Sequence, residues 1–278
     1  MKQSAPSLAE LIALAQTAGQ LMQEAFARSI QTGIMPTEKK VDKTVVTETD
    51  RHINNDVIKR LKDVYPELDI VGEEASLRRV GAEFQLVLDP IDGTLPFTLY
   101  QGGSSVMLAV LRNGIPVRSV IFEPLGKIPF LFSAERGRGA YLHLPDSKRR
   151  ITVSTVDTLA DAIVTMSWFH GSKYNLGGVY SQCIEEGISV TEAYAFGSCG
   201  ARIALGLVSG SVYAGSSGLE AAALQVLIEE AGGTTSDIHG NPLVFDVDGN
   251  VDGHVMSNGH IHSELIKKLS PHIGNVQK

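Results

Sequence analysis

The chain has 278 residues, with 24 Lys and Arg against 31 Asp and Glu, and its formal net charge of −7 argues against nucleic acid or an anionic membrane as the main partner. Hydrophobic residues at 43% and charged ones at 20% exclude a disordered or collagen-like chain and leave one large domain or two lobes sharing a core. No apolar stretch reaches the length of a membrane span, the first residues lack the apolar segment of a signal peptide, and two cysteines, Cys183 and Cys199, make no disulfide framework, so a cytoplasmic location is expected.

Leu8, Leu11, Ile12, Ala15, Met22 and Phe26 recur at helical spacing, which predicts an amphipathic helix from about residue 7 to Ile30. Thr32 to Val46, with Gly33, Pro36 and several lysines, reads as a mobile loop. A second helix follows Asp50, with Ile53, Val57, Ile58 and Leu61 on one face, and ends before Pro66. Short strands are then predicted at Leu68 to Gly72, Gln85 to Leu88, Ser104 to Leu111, Val117 to Phe122 and Pro129 to Phe132. Beyond them come a strand at Ala162 to Met166, a helix at Ala201 to Val208 and a strand at Val212 to Ala214. A helix at Leu219 to Ala231 is closed by Gly232 and Gly233, and a last strand and helix occupy His254 to Ser257 and Ile261 to Leu269. The elements interleave without a regular βαβ rhythm, so a layered α/β fold with antiparallel or mixed sheets is expected.

Two acidic clusters end two of these strands: Glu73-Glu74 after Gly72, and Asp89-Pro90-Ile91-Asp92-Gly93-Thr94 after Leu88. Carboxylates at the ends of neighbouring strands converge on one rim, and Pro90 and Gly93 break the strand so that Asp89, Asp92 and the Ile91 carbonyl can turn toward one point. Oxygen donors alone suit Mg²⁺ or Mn²⁺ rather than zinc. Read blandly, Asp-Pro and Asp-Gly are turn formers and the Glu pair is solvated. Glu220 shares a helix face with Leu224, Leu227 and Ile228, where a carboxylate needs a partner; a first-turn Glu complementing the helix dipole is the simpler account, and a metal ion the other.

With Gly72-Glu73-Glu74, the Asp89 to Thr94 run followed by Phe97, Glu220 with three alanines, Glu230-Ala231-Gly232-Gly233, and Thr47-Glu48-Thr49-Asp50 after a Lys-rich loop, the sequence resembles the inositol monophosphatase family of Mg²⁺-dependent, lithium-sensitive phosphatases over roughly residues 8 to 270. The resemblance implies a layered αβαβα sandwich, an N-terminal lobe over 1–150 carrying the metal motifs and a C-terminal lobe over 151–278. It makes Glu73, Asp89 and the Ile91 carbonyl ligands of one Mg²⁺. Asp89, Asp92 and Glu220 would hold a second, with a weak third at Glu73 and Mn²⁺ as a substitute. Thr94, oriented by Asp50, acts with Glu73 on the attacking water. Gly93 and Thr94 hold phosphate oxygens through their N–H groups, and Gly200 and Ala201 belong to the substrate loop. A small phosphorylated metabolite as substrate and a homodimer are further implications.

The sequence departs from the family pattern in several places. Leu219-Glu220 stands where Trp-Asp is usual, Leu95-Pro96 where Thr-Asn is common, Tyr213 where inositol-specific members carry an acid, and Ala201 for a typical Thr. Substrate identity is therefore open between inositol monophosphates, 3′(2′),5′-bisphosphate nucleotides and fructose 1,6-bisphosphate, and Glu220 motivates a reading of another class, a non-catalytic metal-binding protein. The resemblance places Lys39 and Lys40 in the loop that in the family closes over the site and helps seat a metal-bound water, although each read individually is a solvated loop lysine. A haloacid-dehalogenase-type site is disfavoured because Asp89 and Asp92 are three apart, on opposite strand faces unless the chain bends. Asp246 to Gly253 resembles a Ca²⁺ loop without its closing Glu and reads as a turn. His254, His260 and His262 read as surface or helix-end residues. Neither cysteine has an Arg six residues on, and no serine-hydrolase elbow or Walker loop is present.

Overall fold

The computed structural model describes residues 4–40, 45–167, 172–192, 194–216, 218–246 and 248–273. Helix α1 (Leu8–Thr32) opens on a capping box between Ser7 and Glu10 and stops where Gly33 takes a left-handed φ of 67°. The segment expected to be a loop contains a short hairpin, β1 (Thr37–Lys39) against β2 (Val45–Thr47); every β1 residue is exposed, so no apolar alternation announces it. Helix α2 (Glu48–Leu61) starts two residues before Asp50, because Asp50 is itself the third residue of a capping box with Thr47.

Seven strands then form one sheet in chain order: β3 (Asp69–Gly72), β4 (Phe84–Asp92), β5 (Ser105–Arg112), β6 (Ile115–Glu123), β7 (Phe130–Glu135), β8 (Gly139–Leu144) and β9 (Ser147–Arg150). Its β3–β4 pair is parallel and the rest are antiparallel. A short helix, α3 (Thr94–Thr98), leaves the end of β4. The second sheet holds β10 (Ile163–Ser167), β11 (Ser189–Glu192), β12 (Gly210–Ser216), β13 (Thr234–Asp237) and β14 (Asp252–Ser257) in the order β11-β10-β12-β14-β13, with parallel and antiparallel pairs. Helices α4 (Gly177–Glu185), α5 (Phe196–Ala204), α6 (Leu219–Glu230) and α7 (His262–Leu269) complete the chain.

Strand β5 shows why the layers stack. Val106, Leu108 and Val110 pack toward α1 and α2, and Met107, Ala109 and Leu111 pack toward α6, all six at most 1% exposed. Both faces of the sheet are covered, which is why this strand reads as a continuous apolar run. Each such large side chain contributes about 1.5–3 kcal/mol by leaving water. Helices α5 and α6 touch both sheets, and α4 and α7 cover the far side of the second sheet through Leu176, Val179, Leu265 and Leu269. The result is the αβαβα sandwich expected.

The histidine reading needs correction. His254 is a central residue of β14, only 2% exposed, and burial pulls its pKa down to about 3. His262 is a helix-end residue but a buried one, with its ring nitrogens 2.9 Å from the Ser257 and Ser236 hydroxyls. His260 is exposed. Asp246 does close a turn: its carboxylate accepts the N–H groups of Asp248 and Asn250, each at 2.8 Å.

Candidate active site

Asp89 and Asp92 lie three apart on β4, a spacing that regular alternation sends to opposite faces. The register of β4 against β5 shifts between these two residues, a bulge that turns both carboxylates to one side. The Ile91 N–H donates to Asp89 Oδ1 at 3.0 Å, tightening the bend. Glu220 arrives from the first turn of α6, and one carboxylate oxygen each of Asp89, Asp92 and Glu220 lie within 4.8 Å of one another.

Asp89 and Asp92 are 3% and 2% exposed. Burial, then repulsion from Glu73, Glu220 and Asp92, drives the Asp89 carboxyl well above the usual carboxylate range. Burial and the Glu220 charge push Asp92 up to about 8, against the hydrogen bonds that favour its anion. Three oxygen donors without nitrogen or sulfur, two of them buried and mutually repelling, match a hard divalent cation such as Mg²⁺ or Mn²⁺ in both donor type and charge.

Beside this cluster, Thr94 Oγ1 sits 3.2 Å from Asp50 Oδ1 and 3.0 Å from the Ile91 carbonyl oxygen. Asp50 is 1% exposed, and its second oxygen accepts the Thr47 N–H at 2.8 Å and the Thr47 hydroxyl. The capping box thus aims Asp50 at Thr94. Burial pushes the Asp50 carboxyl up to about 6 even though the Thr47 hydrogen bonds favour its charged form.

Glu73 leaves the end of β3 beside Asp89, with its N–H on the Leu88 carbonyl at 3.1 Å. Its carboxylate is not part of the three-carboxylate cluster: it pairs with Lys40 Nζ at 2.8 Å, and Glu74 pairs with the same ammonium at 2.5 Å. Lys40 is therefore not a solvated loop lysine. Burial lowers its pKa, but the two carboxylates outweigh that and hold it above the ordinary range. Lys39 is exposed as expected.

Asp92 has a second task that its sequence context did not reveal. Its two oxygens accept the Phe196 and Gly197 N–H groups at 2.9 and 2.8 Å and the Ser105 hydroxyl at 3.2 Å, so it caps α5 across the fold. Glycine at 197 permits this approach, since a Cβ there would stand 3.1 Å from Asp92 Oδ2 and closer still to Ser105. Gly93, at φ 79°, turns the chain from β4 into α3 under Ala195. Gly200 and Ala201 lie further along α5, both buried, with Gly200 flush against Leu224 of α6. Cys199 on the same helix has its thiol pushed up to about 12 by burial and the nearby Asp92 charge, which disqualifies it as a nucleophile.

The chain is similar to known proteins along most of its length. The chain is 27% identical to the Nus factor SuhB of Pseudomonas aeruginosa, covering 96% of this chain and 97% of that protein. It is 29% identical to the histidinol-phosphatase of Mycobacterium tuberculosis (84% and 87%) and 26% identical to the 3′(2′),5′-bisphosphate nucleotidase CysQ of Aggregatibacter actinomycetemcomitans (86% and 87%). Among solved structures, the Thermotoga maritima IMPase superposes with a TM-score of 0.80 at 23% identity over 94% of this chain and 95% of that one. An IMPase/NADP phosphatase crystallised with Mg²⁺ and phosphate superposes with a TM-score of 0.74 at 23% identity, over 93% and 95%. The model of the inositol monophosphatase family matches residues 4–273, and the chain belongs to that family.

Proposed function

We propose that this protein hydrolyses a small-molecule phosphate monoester in a divalent-metal-dependent reaction, without a covalent enzyme intermediate. The observation that carries the reading is the convergence of Asp89, Asp92 and Glu220 beside the Thr94–Asp50 pair. In this reading Asp89, Asp92 and Glu220, with Glu73 and the Ile91 carbonyl, hold two or three Mg²⁺ ions. Bound there, the ions supply Lewis acidity toward water and stabilise charge on the leaving oxygen.

The chain's own groups do the rest. With the Thr94 hydroxyl proton turned to Asp50 Oδ1 and away from the Ile91 carbonyl, Oγ1 is left as an acceptor to orient the attacking water. Glu73, freed from Lys40, is the carboxylate positioned to take that water's second proton. The N–H groups of Gly93 and Thr94, at the start of α3, receive the phosphate oxygens. Substrates of the inositol monophosphate type are the first choice, with bisphosphate nucleotides and fructose 1,6-bisphosphate as alternatives. The relatives named histidinol-phosphatase and CysQ widen the panel to be tried.

Phosphate release from that panel with Mg²⁺, with and without Li⁺, tests the reading, using Asp89→Asn as the control because Asp89 caps no other element. Release that depends on Asp89 is expected for at least one ester. One observation favours the non-catalytic alternative, namely that Lys40 already neutralises Glu73. Metal binding without turnover on any ester would decide for it.

A further inference from the structure

The turn at Asp246 to Asn250 has no part in the chemistry above, yet it lies directly behind Glu220. Gly218 is the N-cap of α6, two residues before Glu220, and makes no side-chain cap. A Cβ on Gly218 would overlap the Gly249 carbonyl oxygen and stand 2.5 Å from Asn250 Cα. Its φ is −133°, which any residue can adopt, so glycine is needed there for closeness and not for conformation. The turn is equally close to the strand that carries the aspartates, because a Cβ on Gly249 would stand 3.1 Å from Val87 Cγ1 of β4 and 3.5 Å from Leu219 Cδ2.

The turn is stiff. Asp246 accepts two N–H groups within it, the Gly249 N–H reaches the Asp246 carbonyl at 3.0 Å, and the Asp246 N–H reaches the Asn250 carbonyl at 3.0 Å. Asp248 projects from it to Arg78, whose Nε also donates to Asp69 Oδ1 at 3.1 Å. Asp69 in turn accepts the Arg79 N–H at 2.6 Å and Gln85 Nε2 of β4 at 2.9 Å, and it opens β3, the strand that Glu73 follows.

We propose that the Asp246–Asn250 turn, tethered through Asp248 to Arg78, is the positioning element that fixes the start of α6 so that Glu220 meets Asp89 and Asp92. Gly218, Asp248 and Arg78 are positioning residues; none touches the reacting atoms. This rests on the reading of Glu220 as a metal ligand. A ligand delivered by a helix from another part of the fold sits only as accurately as that helix is seated, and groups that orient metal ligands from behind typically change affinity when removed.

The test is Mn²⁺ binding to the full chain, measured by calorimetric titration, with the thermal midpoint taken without metal. Gly218→Ala is expected to weaken binding about tenfold or more. Asp248→Ala breaks an exposed pair and is expected to weaken binding by up to about fivefold; Arg78→Ala removes that pair and the donor to buried Asp69 as well and is expected to weaken binding at least as much, with the double variant no weaker than Arg78→Ala alone. Arg78→Lys restores part of the loss. The metal-free midpoint of Asp248→Ala stays within about 2 °C of the parent, a pattern that a merely structural tether would reverse. Wild-type Mn²⁺ affinity in Arg78→Ala and Asp248→Ala overturns the proposal, whether or not Gly218→Ala folds. Glu220→Gln, run alongside, separates the two ideas. Loss of binding there with none in the turn variants removes the turn's role alone, whereas wild-type binding in Glu220→Gln removes Glu220 as a ligand and this inference with it.

Discussion

Asp89 and Asp92 at the end of β4, and Glu73 and Glu74 after the end of β3, lie at the ends of adjacent parallel strands, but their charges are met differently. The glutamates share the Lys40 ammonium, brought in by the β1–β2 hairpin. The aspartates have backbone N–H groups and a serine hydroxyl but face one another and Glu220, and burial raises both. The rim thus carries an internal counter-ion on a surface hairpin, while the buried aspartates are met by N–H and hydroxyl donors and repelled by neighbouring carboxylates. On the proposed function, this difference would put the firmer ion sites on the aspartate side and make Glu73 a ligand that has to be released from Lys40.

The largest effect is expected at Asp89. Asp89→Asn keeps the shape and can still accept the Ile91 N–H through its amide oxygen, so phosphate release should fall about a hundredfold to a thousandfold or more. Its metal-free thermal midpoint at pH 8 should rise, because a buried carboxyl whose ionisation is opposed by burial and by its neighbours is gone. A fall in that midpoint would show that the aspartates are not in conflict and would break the contrast with the rim. Asp92→Asn is less clean, since it puts an amide nitrogen against either the Phe196 N–H or the Gly197 N–H and loosens the cap of α5.

The pH dependence follows from the same contrast. Asp50 is pushed up to about 6 and Asp92 up to about 8, both above the value of about 4 for an unfolded chain. The folded metal-free protein therefore holds these protons more tightly than the unfolded one. The stability this lends is complete below pH about 4 and is lost as pH rises through about 6 and about 8. Mg²⁺ competes with those protons, so its stabilisation of the protein should be greater at pH 8 than at pH 5. The midpoint difference between the parent and Asp92→Asn, followed across that range, isolates the Asp92 contribution.

Lys40→Met probes the rim. Without the ammonium, Glu73 and the largely buried Glu74 repel each other and Asp89. The metal-free midpoint should drop, while affinity for the ion that Glu73 serves should rise about threefold to tenfold as the internal competitor disappears. Calorimetric titration of Lys40→Met against the parent measures this, and unchanged affinity would make Lys40 a structural pair only.

These contrasts could be read from the sequence only in part. Asp89, Asp92 and Glu220 were legible because carboxylates at a strand end and on an apolar helix face conflict with burial unless something joins them. The bulge that turns Asp92 toward Asp89 was foreshadowed by Pro90 and Gly93. The family resemblance put Lys40 in a loop over the site, but its pairing was not legible, since a lysine in a polar loop looks solvated until the hairpin brings it to a rim 33 residues further on. Gly197 and Gly200 hid the first turns of α5, because glycine weighs against a helix, and here both are required by close approach. His254 looked like a surface residue because a polar ring gives no signal of burial. The polar strands β9 and β13 and the Gly-Gly start of α4 were missed for similar reasons.

The smallest effect divides the rim pair itself. Glu74 is held from behind, its N–H 3.3 Å from Asn54 Oδ1, and its side chain is 7% exposed against 34% for Glu73. Asn54 also donates to the Ala75 carbonyl at 2.9 Å, so Glu74 is anchored as a structural partner for Lys40, whereas Glu73 faces Asp89 and the cleft. Glu74→Gln keeps the shape and leaves Lys40 to Glu73 alone. Turnover should then stay within about threefold of the parent, and the metal-free midpoint should fall by about 2 °C, roughly the weight of one partly exposed ion pair. Glu73→Gln should cost at least about tenfold in turnover with a similar change in midpoint. Equal losses in the two variants would mean that the rim acts as one acidic unit, and Glu73 would then have no separate role in water activation.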